Sequence, residues 1–248
     1  MNSGRFMSGL AILLLSVVVC SAQPLSAEVL WQDFRLTYLN GSHYRLGDPN
    51  RQVLTIEHAA ATSWGDSFFF FDHMKYANGQ HSNYAELQPR FSLGKNGWQL
   101  KPGGLIKDVL LASHIEMSSQ RTNLLYGVGL DLAVPGMKFT QLNFYRRNNE
   151  QLADNWQATL AWGAPFRISG QAFLYDGFID WASGSIDQQT NFNWTSQFKW
   201  LASDMWQGKS QVWLGVEYVW WRHKFGVTDS PQLRSHENNV NFLLKWHF

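Results

Sequence analysis

The chain has 248 residues, with 20 basic and 19 acidic side chains and a formal charge of +1. That near-balance excludes the basic surface of a nucleic-acid binder and any field strong enough to steer charged ligands. Thirteen tryptophans and seventeen phenylalanines sit in a chain of slightly negative mean hydropathy, and beyond residue 27 nothing approaches the ~20 consecutive apolar residues of a spanning helix.

The first stretch, "MNSGRFMSGLAILLLSVVVCSAQPLSAEVLW", carries one basic residue, Arg5, ahead of an apolar run from Leu10 to Cys20. Small residues follow at Ala22 and Ala27. Residues 1–27 therefore read as a secretory signal peptide cleaved after Ala22 or Ala27, leaving 28–248 as the folded domain. Val19 stands before Cys20 where a lipid-anchored cysteine wants a small neighbour. The chain's single cysteine lies in that leader, so disulfides are not the staple of the exported part.

Apolar and polar residues then alternate with period two. In "WQDFRLTYL", Phe34, Leu36 and Tyr38 share one face, and Asp33, Arg35 and Thr37 the other. "SFFFFDHMKY" puts two phenylalanines on each face, which reads as packing more than as an aromatic ligand box. "YAELQPRFSL" sets Ala85, Leu87, Pro89, Phe91 and Leu93 against Glu86, Gln88, Arg90 and Ser92. "KDVLLASHIEM", "NWQATLAW", "NFNWTSQFKW" and "QVWLGVEYVW" repeat the pattern. The final "VNFLLKWHF" places Val240, Phe242, Leu244, Trp246 and Phe248 opposite Asn241, Lys245 and His247. Turn-forming clusters such as "NGSHYRLGDPN", "KNGWQLKPGG" and "RNNEQLADN" separate the runs.

This is the profile of an all-β protein, a transmembrane antiparallel β-barrel of about 12 strands. Oily residues face lipid and their alternates face a wet interior. The last strand must close on the first, because an open edge in hydrocarbon leaves backbone groups unsatisfied. A soluble sandwich or lipocalin-like barrel is the competing architecture. Against it, several runs end in tryptophan on the apolar face (Trp162, Trp200, Trp220, Trp246), where an interfacial girdle belongs.

Particular segments carry a resemblance. "AELQPRFSLGKNGWQL", "GGLIKDVLLASHIE", "YGVGLDLAVPG" and "LYDGFIDWASGS", together with the aromatic ending, resemble the Tsx-like family of nucleoside-specific channel-forming outer-membrane proteins. The most specific positions are Glu86, Pro89, Arg90, Phe91 and Ser92. Next come Lys107 with Asp108, then Gly127, Gly129 and Asp131, then Gly177, Phe178, Asp180 and Trp181. The resemblance implies a twelve-stranded barrel with a narrow lumen passing nucleosides by facilitated diffusion, with Asp180 among its lining residues.

A small neutral polar solute needs aromatic faces for stacking and polar groups that replace water. With Ile168, Ala172 and Leu174 taken as lipid-facing, Gln171, Phe173 and Tyr175 are expected in the lumen. Gln141, Asn143 and Tyr145 are expected there on another strand; interior aromatics also serve simply to narrow a barrel. Glu86 with Arg90, and Asp108, Glu116 and Asp131, read first as ion pairs bracing the barrel across its width. Such charges also tune selectivity. A near-cancelling set suits neutral cargo; phosphate-bearing nucleotides would want surplus Arg and Lys.

The rival readings are a general or sugar-type small-solute porin and, more remotely, a phospholipase-like hydrolase. The hydrolase idea rests on "GQHSNYAE", but adjacent strand residues point to opposite faces, so His81 and Ser82 cannot meet as base and nucleophile. The eight histidines show neither His-x-His pairs nor cysteine partners, so no metal is expected. No catalytic residue and no cofactor are implied. The expected partners are outer-membrane lipid and a nucleoside-like permeant, with surface loops serving incidentally as phage or colicin receptors, and no nucleic acid.

Overall fold

The computed structural model describes residues 28–98, 100, 102–205 and 210–248; the signal-peptide reading lies outside them. Twelve strands follow in order: β1 (Val29–Gly41), β2 (Arg51–Thr62), β3 (Gly65–Tyr76), β4 (His81–Ser92), β5 (Ile106–Ser118) and β6 (Thr122–Leu132). Then come β7 (Phe139–Asn148), β8 (Asn155–Ile168), β9 (Gln171–Ala182), β10 (Asn191–Leu201), β11 (Gln211–Arg222) and β12 (Glu237–His247). Each strand pairs with its predecessor, and β12 returns to β1 to close the barrel. The closing register runs from Arg35 opposite His247 to Gly41 opposite Asn241. Closure leaves no edge, the condition for a sheet to survive in hydrocarbon.

Alternation decides which face is which. Along β12, Val240, Phe242 and Trp246 are 56%, 51% and 41% exposed, whereas Asn241, Leu243 and Lys245 are 0%, 0% and 3% exposed. A water-soluble barrel would invert this order, since buried positions there go to apolar groups. The greasy face is the outer one, and the polar and charged side chains line the inside.

Turn length sets the phase of each strand. β8 and β9 are joined by Ser169 and Gly170 alone, at φ of 49° and 81°, the left-handed pair of a type I′ turn. Ile168 and Gln171 flank that turn as a directly opposed pair, so both lie on the same face although they are three residues apart. The expected lumenal set Gln171, Phe173 and Tyr175 is thereby corrected. All three lie on the outer face, and Ala172, Leu174, Asp176, Phe178 and Asp180 point inward. Carrying the phase of Ile168 straight through a two-residue turn inverts every position of the next strand. The outer placement is visible in the contacts: the Phe173 ring stacks on Phe166 at 5.6 Å and meets Phe198 at 5.6 Å.

Candidate functional site in the barrel interior

Inward side chains form ion-paired groups on the wall, of which three bear most on the interior. Arg90 on β4 donates two bonds to Asp66 on β3, at 2.8 and 2.6 Å, and pairs with Asp131 on β6 at 3.0 Å. It reaches β6 across Ala112 and beside Gly129, where a Cβ would sit 3.6 Å from its guanidinium and closer still to the Asn143 amide oxygen. Small residues on β5 and β6 therefore let a long side chain lie along the wall. In the second group Arg147 forks onto Glu116 with two 2.7 Å bonds, and Asn123 donates to the same carboxylate at 2.9 Å. Glu86 accepts from Tyr84 at 2.7 Å and Gln88 at 2.8 Å, with His114 Nε2 2.8 Å away.

The third group spans the closing seam. Lys245 on β12 reaches over Thr37 on β1 to Glu57 on β2, at 2.8 Å. Lys199 pairs with Asp176 at 2.6 Å, and Glu217 accepts from Gln197 at 2.8 Å and Asn241 at 3.0 Å. The expected Glu86–Arg90 pair is not formed. Both point inward, but Arg90 is taken by two aspartates and Glu86 by Tyr84, Gln88 and His114. The ionic contacts also run laterally between near neighbours, not across the width of the barrel as expected.

Charge does not cancel inside. The inward carboxylates (Asp33, Glu57, Asp66, Asp72, Glu86, Asp108, Glu116, Asp131, Asp176, Asp180, Glu217, Glu237) outnumber the inward Arg and Lys (Arg35, Arg51, Arg90, Arg147, Arg167, Lys199, Lys224, Lys245). Among the described residues, Asp72, Asp108, Asp180 and Glu217 have no Lys or Arg partner. Thr55 donates to Asp72, Ser92 and the Gly94 amide to Asp108, and Thr159 and Gln157 to Asp180. The near-cancelling interior expected from sequence is thus corrected to one in which carboxyl groups outnumber Arg and Lys.

Aromatic groups share this lining. Phe68, Phe70 and Tyr84 occupy inward positions on β3 and β4, with successive ring centroids 6.1 and 5.9 Å apart. Sequence reading left open which two of the four phenylalanines turn inward. The strong signal was Asp72, whose polar side chain fixes the even-numbered positions of β3 as interior. Of the twelve expected lining residues, Glu86, Arg90, Asp108, Glu116, Asp131, Gln141, Asn143, Tyr145 and Asp180 point inward, and Gln171, Phe173 and Tyr175 do not. Asp66, Asp176, Lys199 and Glu57 join the networks without having been singled out; their signal was only the polar phase of each strand.

At the end away from the termini, loop residues fold over the mouth. Lys224 pairs with Glu237 at 2.6 Å, and the Arg45 amide donates to the same carboxylate at 2.7 Å. Burial holds the Lys224 ammonium below its ordinary value despite Glu237. Tyr44 lies beneath the Arg51 guanidinium, 4.6 Å from ring centroid to cation, and burial pushes its phenol up.

Glu86, His114 and Glu116 bring ligand atoms within 4.8 Å of one another. A cation there would have to displace the Arg147 fork from Glu116, so the cluster is occupied by its own side chains. On β4, His81 points outward and Ser82 inward, as alternation demands. His81 Nδ1 contacts His73 Nε2 at 3.2 Å, and the Ser82 hydroxyl bonds the Tyr76 phenol.

A closed antiparallel barrel, greasy outside and hydrogen-bonded inside, is the architecture of a transmembrane β-barrel protein of the outer-membrane type. The solved KdgM porin shares the fold at a TM-score of 0.52 and 10% identity, covering 86% of this chain and 99% of that one. NanC porin does so at 0.52 and 10%, covering 88% and 99%. No curated protein sequence matches the chain. The family is nonetheless shown: residues 27–248 match the sequence model of the nucleoside-specific channel-forming protein, Tsx, and the chain belongs to that family. It is an outer-membrane channel for small solutes.

Proposed function

We propose that this barrel passes nucleosides, and neutral polar solutes of similar shape, by passive diffusion along the β3–β4 wall. The observation that carries the reading is the inward track Phe68–Phe70–Tyr84 beside the hydrogen-bonding groups of Glu86, Gln88 and Glu116. A flat base stacks on successive rings while sugar hydroxyls exchange water for carboxylate and amide partners. Gln141, Asn143, Tyr145 and Asp180 extend the polar lining on β7 and β9. An interior with more carboxyl groups than Arg and Lys disfavours anions, so cargo of the kind named for one relative, a KdgM porin in complex with disordered oligogalacturonate, suits this chain poorly.

Single-channel recording in planar bilayers tests the proposal. Adenosine should block the current at sub-millimolar concentration, and Phe70→Ala should weaken that block about tenfold, as stacking is worth ~1–3 kcal/mol per base. Phe173→Ala, on the outer face, should leave it unchanged. Equal passage of sugars and nucleosides, with Phe70→Ala indistinguishable from the parent, would reduce the barrel to a general small-solute porin.

A further inference from the structure

A recess of about 400 Å³ opens on the outside of the barrel near the mouth away from the termini. Trp181, Phe192 and Trp220 wall it, and Gln189, Thr190, Arg222 and His223 rim it. The register fixes it on the lipid side: Trp181 on β9 opposes Phe192 on β10, which opposes Arg222 on β11. All three share the outer face, and Trp220 closes the floor with its ring 5.4 Å from Phe192. Tryptophans at the ends of membrane strands mark the boundary between hydrocarbon and headgroups.

The rim is cationic. No carboxylate lines the recess, and among the described residues Arg222 has no ion-pair partner. Arg146, another arginine of the outer face near this mouth, is spent within the chain: it contacts Asp154 at 3.4 Å and lies 5.3 Å over the Trp156 ring. His223 donates from Nδ1 to the Thr190 carbonyl at 3.0 Å, which holds its ring at the rim. An unpaired guanidinium above an aromatic trough, at headgroup depth, complements an anionic headgroup on an acyl chain. The planar fork suits phosphate oxygens bidentately.

We propose that this recess is a binding site for one lipid with an anionic phosphate headgroup. Its acyl chain lies on Trp181, Phe192 and Trp220, and its phosphate meets Arg222. The site faces the membrane and is separate from the solute path, so it stands or falls independently of the permeant.

The test is native mass spectrometry of the detergent-solubilised barrel titrated with phosphatidylglycerol and, in parallel, with zwitterionic phosphatidylcholine. The first phosphatidylglycerol should bind about tenfold more tightly, the scale of one charge-assisted hydrogen-bond set. Arg222→Gln should erase that preference and Arg146→Gln should keep it. Trp220→Ala should weaken both lipids alike. Inorganic phosphate at matched concentration should displace nothing, since the chain must be held as well as the headgroup. Equal affinity for the two lipids, an unchanged preference in Arg222→Gln, or displacement by free phosphate would each overturn the assignment. The heat-dependent gel shift of each variant checks that the barrel is folded.

Discussion

The Lys245–Glu57 pair is the sharpest place to test how the barrel is held shut. Lys245 and Glu57 side chains are 3% and 13% exposed and lie 2.8 Å apart, with Thr37 beneath them also reaching Glu57 at 3.3 Å. At an effective dielectric near 20, two unit charges at that distance attract by about 6 kcal/mol. Desolvating each ion returns several kcal/mol, so the intact pair contributes little beyond an apolar replacement of both partners. Removing one partner is different, because the other remains desolvated without its nearest counter-ion, at a cost of ~3–5 kcal/mol. Water reaches Glu57 slightly and Thr37 still donates to it, so Lys245→Met should fall at the lower end, about 3 kcal/mol. Equilibrium denaturation of the reconstituted barrel, run on Lys245→Met, Glu57→Gln and the double variant, measures this directly. The double variant should be more stable than Lys245→Met alone. A double variant that loses the sum of the two single losses, or a Lys245→Met within about 0.5 kcal/mol of the parent, would show that the pair does not act as a unit.

Two further outcomes follow from the same geometry. Gly129→Leu must push the Asn143 amide and the Arg90 guanidinium off the wall, so the barrel should lose about 1–3 kcal/mol by overpacking and its single-channel conductance should fall; unchanged conductance refutes the wall-lying role of Arg90. Asp229, on the loop between β11 and β12, accepts from the Ser235 amide at 2.7 Å and from Arg234 at 3.2 Å, and the Ser235 bond chiefly holds its carboxyl below the ordinary range. A depressed carboxyl contributes stability above its unfolded value and loses it as pH falls through the lower folded value. Protection of the Ser235 amide against hydrogen exchange should thus persist at neutral pH and fade below about pH 4, while Asp229→Asn should lack it throughout.

Much of this architecture is legible in the sequence because a barrel wall between lipid and water imposes strict period two. Phe34, Leu36 and Tyr38, or Val240, Phe242, Leu244 and Trp246, could face only one way, and strand number and closure followed from counting such runs. What failed was phase. β9 carries apolar or aromatic residues at both parities, Ala172 and Leu174 against Phe173 and Tyr175, so its alternation does not announce its own face. Only the length of the Ser169–Gly170 turn, or the need of Asp176 and Asp180 for inward partners, decides it. Pairing partners failed for another reason. Arg90 meets Asp66 through strand register and Asp131 through a reach across Ala112, and neither distance exists in a linear sequence.

The direction of those pairings bears on how the interior could stay open to a solute. A long base that spanned the barrel would plug it. Here three of them lie sideways over a small or short neighbour: Arg90 over Ala112 and beside Gly129, Lys245 over Thr37, Arg147 past Asn123. Positive charge is thereby spent against the wall, within reach of the carboxylates that flank it. The carboxyl groups are more numerous, and Asp72, Asp180 and Glu217 have only uncharged donors as partners. A passing solute accordingly meets acceptor-rich polar groups and the Phe68–Phe70–Tyr84 edge, with few free cations. Under the proposed solute path, that combination would favour a neutral molecule rich in hydroxyl and amine donors, with a flat face, over an anion of the same size.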